Sequence, residues 1–133
     1  EIGTGDWSSD VCSSDLGAER NSGGELILKL ADFDRKCQGA QCVITGEGAS
    51  DSQTAHGKLC AVVAAAARKR QVPAILLSGK INDESGALAQ TFTGGGFFIA
   101  AGPGDLAAAI AATAGNLERM GRNIGLLAKG FSR

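Results

Sequence analysis

The sequence predicts an α/β fold of the three-layer, partial doubly wound type: a Rossmann- or flavodoxin-like parallel sheet with about three β/α units. Short apolar runs typical of strands alternate along the chain with longer helical segments. The strand runs are almost continuously apolar, which is typical of parallel strands that helices cover on both faces. A content of 44% hydrophobic residues and 20 glycines in 133 residues fits one compact domain with close helix–strand packing.

The first predicted elements are a helix and a buried strand. An apolar face recurs at helical spacing, at Leu26, Ile27, Leu30, Phe33 and Cys37. Asp32 or Asp34 is expected to cap a second short turn, and Gly39 to end it. Residues 41–45 are a short apolar run that predicts the first strand.

Two further β/α units follow. Residues 57–70 are predicted to form a helix and residues 74–78 a second buried strand. A short helix is expected over residues 82–89 and a third strand over residues 97–101. The last helix begins at Asp105, which is expected to cap it. Its apolar residues predict an inward-facing stripe, at Leu106, Ile110, Leu117, Ile124 and Leu127.

Residues 1–16 differ from the rest of the chain. They show no helical or strand periodicity, and they lack the basic start and apolar centre of a signal peptide. The stretch resembles the conceptual translation of a sequencing-adapter oligonucleotide; the alternative is a natural polar tail. We therefore expect a non-native, disordered tail over residues 1–16, with natural sequence missing upstream, and place the α/β domain in residues 17–133.

Functional groups are concentrated in one loop, residues 44–58, which joins the first strand to the following helix. It holds the only His of the chain, two carboxylates, hydroxyls, an amide and a Lys among glycines. Ligands of open α/β sheets bind at the carboxyl ends of strands, in loops of this kind. Glycine N–H groups and the N-terminus of the next helix would favour an anion there.

The carboxylates and the lysine of this loop suit phosphoryl transfer. Glu47 and Asp51 could hold a divalent metal or take a proton from a hydroxyl, and Lys58 could neutralise a phosphate. The structural alternatives are an Asx-type cap for Asp51 and a helix-start lysine for Lys58. A P-loop is excluded, because Ser52 and Leu59 stand where that motif needs Gly and Ser or Thr.

Other polar residues carry weaker signals. Gln53 and Thr54 are expected to form hydrogen bonds or to cap the next helix, and His56 is interpreted as loop filler. Lys80 follows the carboxyl end of the second strand. It is a second candidate for the ligand side of the sheet, the alternative being an ordinary exposed lysine.

Composition argues against several classes of function. A net charge of −1 and only 5% aromatic residues argue against a nucleic-acid partner. No stretch is long and apolar enough to span a bilayer, so no membrane partner is expected. The four cysteines form no C-x-x-C pair and only one His is present. The sequence therefore predicts core thiols in a reducing cytoplasm instead of a zinc site.

The loop also carries a family signature. Its motif residues are Thr45-Gly46-Glu47-Gly48, Asp51, Gln53-Thr54 and Gly57-Lys58. This pattern resembles the signature near the C-terminal end of type I bacterial glycerate kinases. Weaker likeness extends to residues 25–34, to Gly102-Pro103-Gly104 and to residues 119–124.

The resemblance implies ATP-dependent phosphorylation of D-glycerate to phosphoglycerate, with 2-phosphoglycerate favoured and Mg²⁺ as cofactor. It implies catalytic roles for Asp51, Glu47 and Lys58, with Mg²⁺ held by Glu47 and Asp51. It implies substrate or phosphate contacts by Gly46, Gly48, Gln53, Thr54 and Gly57. The expected partners are thus the small molecules D-glycerate and ATP, in the cytoplasm, and a homodimer is an assembly that the resemblance allows.

The chain departs from the family pattern at Ala49-Ser50, where members usually have Arg and an aliphatic residue. If that Arg contacts a phosphate or the substrate carboxylate, one contact of the site is missing here. We expect the 133-residue fragment by itself to be inactive, because a second domain and most of the nucleotide-binding surface would lie outside it. The alternative function is that of a stand-alone α/β module that binds a small anion or phosphosugar.

Overall fold

The computed structural model of the protein describes residues 22–102 and 104–131. Its helices are α1 (Gly23–Leu30), α2 (Phe33–Lys36), α3 (Leu59–Lys69), α4 (Ala87–Thr91), α5 (Leu106–Ala111) and α6 (Thr113–Phe131). Its strands are β1 (Val43–Glu47), β2 (Ala74–Ser78) and β3 (Gly96–Phe98), and a 3₁₀ turn spans Ser52–Ala55. None of the described helices has both the length and the apolar character needed to cross a membrane. The disordered tail predicted for residues 1–16 lies outside the described residues.

The three strands form one parallel sheet in the order β1-β2-β3. In the register of β1 on β2, the last pair of residues is Glu47 and Ser78. Strand β3 pairs with the other edge of β2, where Leu76 lies beside Gly96. Because parallel strands alternate with helices along the chain, the predicted α/β class is confirmed, as a partial Rossmann-like fold.

Strand β2 is the centre of the core, and all of its residues are buried. On one face of the sheet, Leu76 packs with Ala64 of α3 and with Phe92, which follows α4. On the other face, Leu77 packs with Ile124 of α6. Helices therefore cover both faces, as the predicted three-layer arrangement requires. This burial on both sides explains why β2 is an almost continuous apolar run.

Strands β1 and β3 differ in their ends from the predicted ranges. Strand β1 begins at Val43, later than predicted, and continues through Glu47, because its ladder with β2 runs on to Ser78. Strand β3 ends at Phe98, earlier than predicted, because its ladder also stops at Ser78. Glu47 is therefore the last residue of a strand and not a loop residue.

Helices α3 and α4 begin later than predicted. Helix α3 begins at Leu59, because the backbone of Gly57 has φ of 93°, which lies outside the helical region. The helix predicted over residues 82–89 is observed later in the chain, as α4 over Ala87–Thr91. Gly86 occupies the N-cap position of α4, and Asp83 lies before it, where its Oδ2 accepts a hydrogen bond from the N–H of Leu88 at 3.0 Å.

The apolar face predicted for the first helix is mostly exposed. The segment divides into α1 and α2 at Asp32, which has a left-handed φ of 51° and occupies the cap position of α2, as predicted. Leu26, Ile27 and Leu30 are exposed, whereas Cys37 is buried. Most of this face lies outside the core, because α1 packs on α3.

The last predicted helix is divided into α5 and α6. Asp105 caps α5 as predicted, because its Oδ1 accepts a hydrogen bond from the N–H of Ala108 at 2.8 Å. Helix α6 begins at Thr113, whose hydroxyl donates to the carbonyl of Ala109 at 3.1 Å, a contact that favours bending. The predicted inward stripe is wrong apart from Ile124. Its other members are exposed: Leu106, Ile110, Leu117 and Leu127. The reason is that α5 and the start of α6 line a cavity beside the sheet instead of filling the core.

The described cysteines are free thiols, and two of them belong to the core as predicted. Cys37 and Cys60 are buried and Cys42 is half-buried. Burial raises the pKa of the Cys60 thiol; the hydrogen bond from Thr45 opposes this shift, and the nearby charge of Glu47 adds to it.

The close approach of β1 and β2 depends on Gly46. A Cβ atom at this position would lie 2.6 Å from the carbonyl oxygen of Leu77. We expect Gly46→Ala to lower the free energy of unfolding by roughly 1–3 kcal/mol, the usual cost of overpacking, as measured by urea denaturation. Gly48→Ala is the matched control, because a Cβ there would meet no atom within 4 Å. Equal losses in the two variants would contradict this role of Gly46.

Candidate functional site

The loops after β1 and β2 meet at one edge of the sheet, because parallel strands direct their carboxyl ends the same way. A cavity of about 800 Å³ opens beside this edge, against α5 and α6. Its polar lining includes Glu47, Lys80 and Asn116, and its apolar lining includes Ile44 and Leu77. The volume and the mixed lining are those of a small-molecule site.

Glu47 lines the cavity and is held by two hydroxyl groups. Its Oε1 accepts a hydrogen bond from Thr54 Oγ1 at 2.6 Å and one from Ser50 Oγ at 2.8 Å. Both donors are almost fully buried, since the exposed fraction is 0% for Thr54 and 2% for Ser50. Within the described part of the chain no hydrogen bond reaches Oε2, which leaves this oxygen to a ligand.

A second set of contacts joins the two loops. Ser50 Oγ lies 2.9 Å from Ser78 Oγ, which donates to the carbonyl of Lys80 at 2.7 Å. The backbone N–H of Ser50 donates to the same carbonyl at 2.8 Å, and Ser50 forms an isolated parallel bridge with Ile81. The pairing of β1 with β2 thus continues beyond the strands and fixes Glu47 and Lys80 in neighbouring loops.

Asp51 caps the 3₁₀ turn that follows β1. Its Oδ1 accepts hydrogen bonds from the N–H groups of Gln53 at 2.9 Å and Thr54 at 3.3 Å. Thr54 Oγ1 in turn accepts a hydrogen bond from the N–H of Asp51 at 3.2 Å, which completes a capping box. Asp51 therefore does act as a helix cap, which the sequence left open as the alternative to a catalytic role. The described contacts of its carboxylate all use Oδ1.

Lys58 forms an ion pair with Asp51 and does not line the cavity. Its Nζ lies 3.7 Å from Asp51 Oδ1, and the two side chains are 48% and 52% exposed. Such an exposed pair contributes little to stability. Glu47 thus lines the cavity, whereas Asp51 and Lys58 lie outside its lining, although Asp51 shares Thr54 with Glu47 as a hydrogen-bond partner.

The remaining predicted site residues lie in four environments. Gly46 and Gly48 line the cavity of about 800 Å³. Gly57 lines a second cavity of about 560 Å³, between α1 and α3. Thr54 is buried and confirms the expected hydrogen-bonding role, whereas Gln53 is exposed and supplies its backbone N–H to the cap.

The described residues contain no group of three or more His, Cys, Asp and Glu side chains that could hold a metal ion. Mg²⁺ is usually held by one or two carboxylates together with waters and substrate phosphates. Thr54 is hydrogen-bonded to both Glu47 and Asp51, and each carboxylate keeps one oxygen without a described partner. The donor chemistry therefore fits a Mg²⁺ ion that takes its other ligands from substrate and water.

The departure from the family pattern has two structural consequences. Ala49 lies in the lining of the cavity and offers no charged group. Ser50 is buried, and its hydroxyl contacts Glu47 and Ser78 where an aliphatic side chain would offer only packing. The departure thus affects both the charge of the cavity and the polar contacts beneath it.

Two supporting residues were not predicted from the sequence. The pattern assigns Ser78 only to a strand and Asn116 only to a helix. Asn116 is buried in the cavity wall, and its Oδ1 accepts a hydrogen bond from Arg119, which also donates to the carbonyl of Ile99 at 2.9 Å. Ser78 could have been found from the sequence, because it is a polar residue at the end of an apolar run. Asn116 gives no such signal, because its burial follows from tertiary packing.

The hydroxyl of Thr54 stabilises the fold as well as the site. Thr54→Val keeps the volume of the side chain but leaves Glu47 Oε1 and the N–H of Asp51 without this partner. We expect the free energy of unfolding to fall by about 1–3 kcal/mol in urea denaturation, the usual cost of losing a buried partner.

Thr113→Val is the matched control for this substitution. The hydroxyl of Thr113 bonds to a helix carbonyl and not to a carboxylate, so the loss should stay below about 0.5 kcal/mol. A Thr54→Val variant as stable as this control would show that the contact with Glu47 contributes nothing.

Comparison with known proteins gives consistent matches. The sequence matches the Glycerate kinase family over residues 12–129. It is 39% identical over 109 residues to the Glycerate kinase of Bacillus subtilis (strain 168). The aligned region covers 82% of this chain and 28% of that protein. It is 35% identical over 109 residues to the Glycerate 2-kinase of Escherichia coli (strain K12), with 82% and 29% covered. It is 33% identical over 102 residues to the Glycerate kinase of Bacillus cereus (strain ATCC 10987 / NRS 248), with 77% and 27% covered.

The family match includes every described residue that lines the cavity, from Ile44 to Leu117. It begins at residue 12, inside the predicted tail, whose non-native origin stays a prediction. The chain spans less than a third of the length of these curated relatives. Because the match extends over most of its own length, the chain belongs to the glycerate kinase family.

Proposed function

We propose that the full protein to which this chain belongs is an ATP-dependent kinase of D-glycerate, with the 2-hydroxyl as the favoured acceptor. Glu47 is the observation that carries this proposal. It is a carboxylate at the carboxyl edge of a parallel sheet, fixed by two buried hydroxyls beside a cavity of about 800 Å³. Relatives that share this segment are named glycerate kinase and glycerate 2-kinase.

The proposed reaction moves the γ-phosphoryl group of ATP to a hydroxyl oxygen of glycerate, and the hydroxyl proton needs an acceptor. We assign this role to Glu47, because a carboxylate within hydrogen-bonding reach of a hydroxyl can act as a general base. Thr54 and Ser50 hold its carboxylate through Oε1. A carboxylate that is already oriented reduces the cost of positioning during the reaction.

Phosphoryl transfer also requires neutralisation of the phosphate charge. Asp51 is the proposed ligand of Mg²⁺, which would supply positive charge next to the phosphates. Glu47 is the alternative proposed ligand, in which case its free oxygen Oε2 would hold the metal instead of taking the proton. Lys58, a proposed catalytic residue, would contribute a further positive charge from the start of α3. The remaining residues of the motif are proposed to contact substrate or phosphate: Gly46, Gly48, Gln53, Thr54 and Gly57.

The isolated 133-residue chain is proposed to be inactive, because it spans only 28% of the Bacillus subtilis relative. The second candidate function is a stand-alone module that binds a small anion or phosphosugar. The observation that favours this alternative is the cavity itself, since described residues of this chain line it without any further domain.

The proposed setting is a reducing cytoplasm, with D-glycerate and ATP as the partners. The free thiols of Cys37, Cys42 and Cys60 support this proposal, because disulfides are rare in such compartments. A homodimer remains the proposed assembly.

The test is an assay of ATP consumption with D-glycerate and Mg²⁺, using the protein encoded by the complete reading frame that contains this chain. We expect turnover that falls at least about 100-fold in Glu47→Gln, the effect of losing a general base. The 133-residue chain assayed alongside should show none.

Glu118→Gln is the matched control, because Glu118 is exposed on α6 and pairs only with Arg122 among the described residues. Its activity should stay within about twofold of the wild type, as for a surface substitution. No turnover by the complete protein would contradict the kinase and favour the binding module. Full activity of Glu47→Gln would remove Glu47 from the mechanism.

A further inference from the structure

We propose that Lys80 binds the anionic group of the ligand in the cavity, a carboxylate or a phosphate. This inference rests on the proposed function, because it adds a residue to the same site. It adds a second lysine to the one that the sequence motif suggests, Lys58. The ligand class is a small oxyanion such as a hydroxy acid or a phosphate group.

The position of Lys80 is the first argument. Lys80 follows β2 at the carboxyl edge of the sheet and lines the cavity together with Glu47, Gly48 and Ala49. Glu47 and Lys80 are the charged residues among the described residues that line this cavity. An anion placed beside Glu47 alone would be repelled, whereas a cation in the adjacent loop offsets that repulsion.

The backbone of Lys80 is fixed on both sides, which is the second argument. Its carbonyl accepts hydrogen bonds from the N–H of Ser50 at 2.8 Å and from Ser78 Oγ at 2.7 Å. The next residue, Ile81, pairs with Ser50, and the N–H of Asn82 donates to the carbonyl of Ser50 at 2.9 Å. These bonds fix the backbone of the loop that carries Lys80 beside the cavity.

The same hydroxyl pair connects Lys80 to Glu47. Ser50 Oγ lies 2.8 Å from Glu47 Oε1 and 2.9 Å from Ser78 Oγ, and the exposed fraction of Ser78 is 0%. One buried contact therefore holds the acidic and the basic residue of the cavity at a set separation. Two opposite charges whose backbone positions are held in this way can bind the two ends of a small polar ligand at a lower cost of positioning.

The competing lysine is already paired, which is the third argument. Lys58 Nζ lies 3.7 Å from Asp51 Oδ1, and Lys58 is not in the cavity lining. Lys80 forms no ion pair with any residue of the described ranges 22–102 and 104–131, so its ammonium group is available there. Lys80 is exposed and belongs to the lining of the cavity.

The experiment is an NMR titration of the ¹⁵N-labelled 133-residue chain at constant ionic strength, with sodium phosphate in one series and sodium D-glycerate in another. We expect the amide signals of Gly48, Gly79 and Lys80 to shift with dissociation constants in the range of about 1–50 mM. Lys80→Met should weaken the binding roughly tenfold, and Lys80→Arg should retain it within about threefold. Shifts with D-glycerate alone would identify a carboxylate ligand, and shifts with phosphate alone a phosphate ligand.

Lys36→Met is the matched control and should bind as the wild type does, because Lys36 is exposed on α2 and has no place in the proposed site. Binding that survives in Lys80→Met, or that is lost in Lys36→Met, would overturn the proposal, as would the absence of shifts at these amides with both anions. Because Lys80 is exposed, its variants should keep the dispersed spectrum of the wild type, which separates lost binding from lost folding. The turnover assay of the complete protein decides the kinase proposal separately, since a chain can bind an oxyanion without being part of a kinase.

Discussion

The parallel pairing of β1 with β2 is the interaction on which the site depends. The ladder ends with Glu47 beside Ser78, and backbone bonds between the following loops carry the pairing on to Ile81. This arrangement requires close contact of the two backbones, which Gly46 permits at Leu77. The two loops at the carboxyl edge are therefore parts of one rigid frame, and their side chains keep their relative positions.

The polar residues of the first loop serve the fold and the site at the same time. Thr54 closes the capping box with Asp51 and also donates to Glu47 Oε1. The cap thus sets the orientation of the carboxylate at the end of β1, because one hydroxyl takes part in both contacts. Polar groups that are buried and satisfied in this way add specificity to a core, whereas unsatisfied ones would destabilise it.

The division of the motif into two groups changes how its charges can be used. Asp51 and Lys58 neutralise each other on the exposed side of the turn, and Glu47 lies at the cavity. A sequence motif orders residues along the chain, whereas the extended ladder decides which of them face the same space. Lys80 is distant from the motif in sequence, but its loop is hydrogen-bonded to that of Ser50.

The sequence alone was sufficient to predict those features of the fold that have strong local signals. The continuous apolar run of β2 and the helix cap at Asp105 were predicted at their observed positions, and the glycine-rich loop identified the family. The prediction of an inward stripe on the last helix was wrong apart from Ile124. Periodicity shows which face of a helix is apolar, but it does not show whether a sheet or a cavity lies opposite that face. The contact of Ser50 with Ser78 depends on strand register, which no local pattern contains.

The central proposal is that the carboxyl edge of β1 and β2 holds the acceptor substrate of the proposed kinase. The most direct test is a crystal structure of the complete protein with D-glycerate and a non-hydrolysable analogue of ATP. We predict a glycerate hydroxyl at about 3 Å from the carboxylate of Glu47, within the cavity lined by Lys80. Glycerate bound only in the cavity between α1 and α3, with no ligand near Glu47, would contradict the claim.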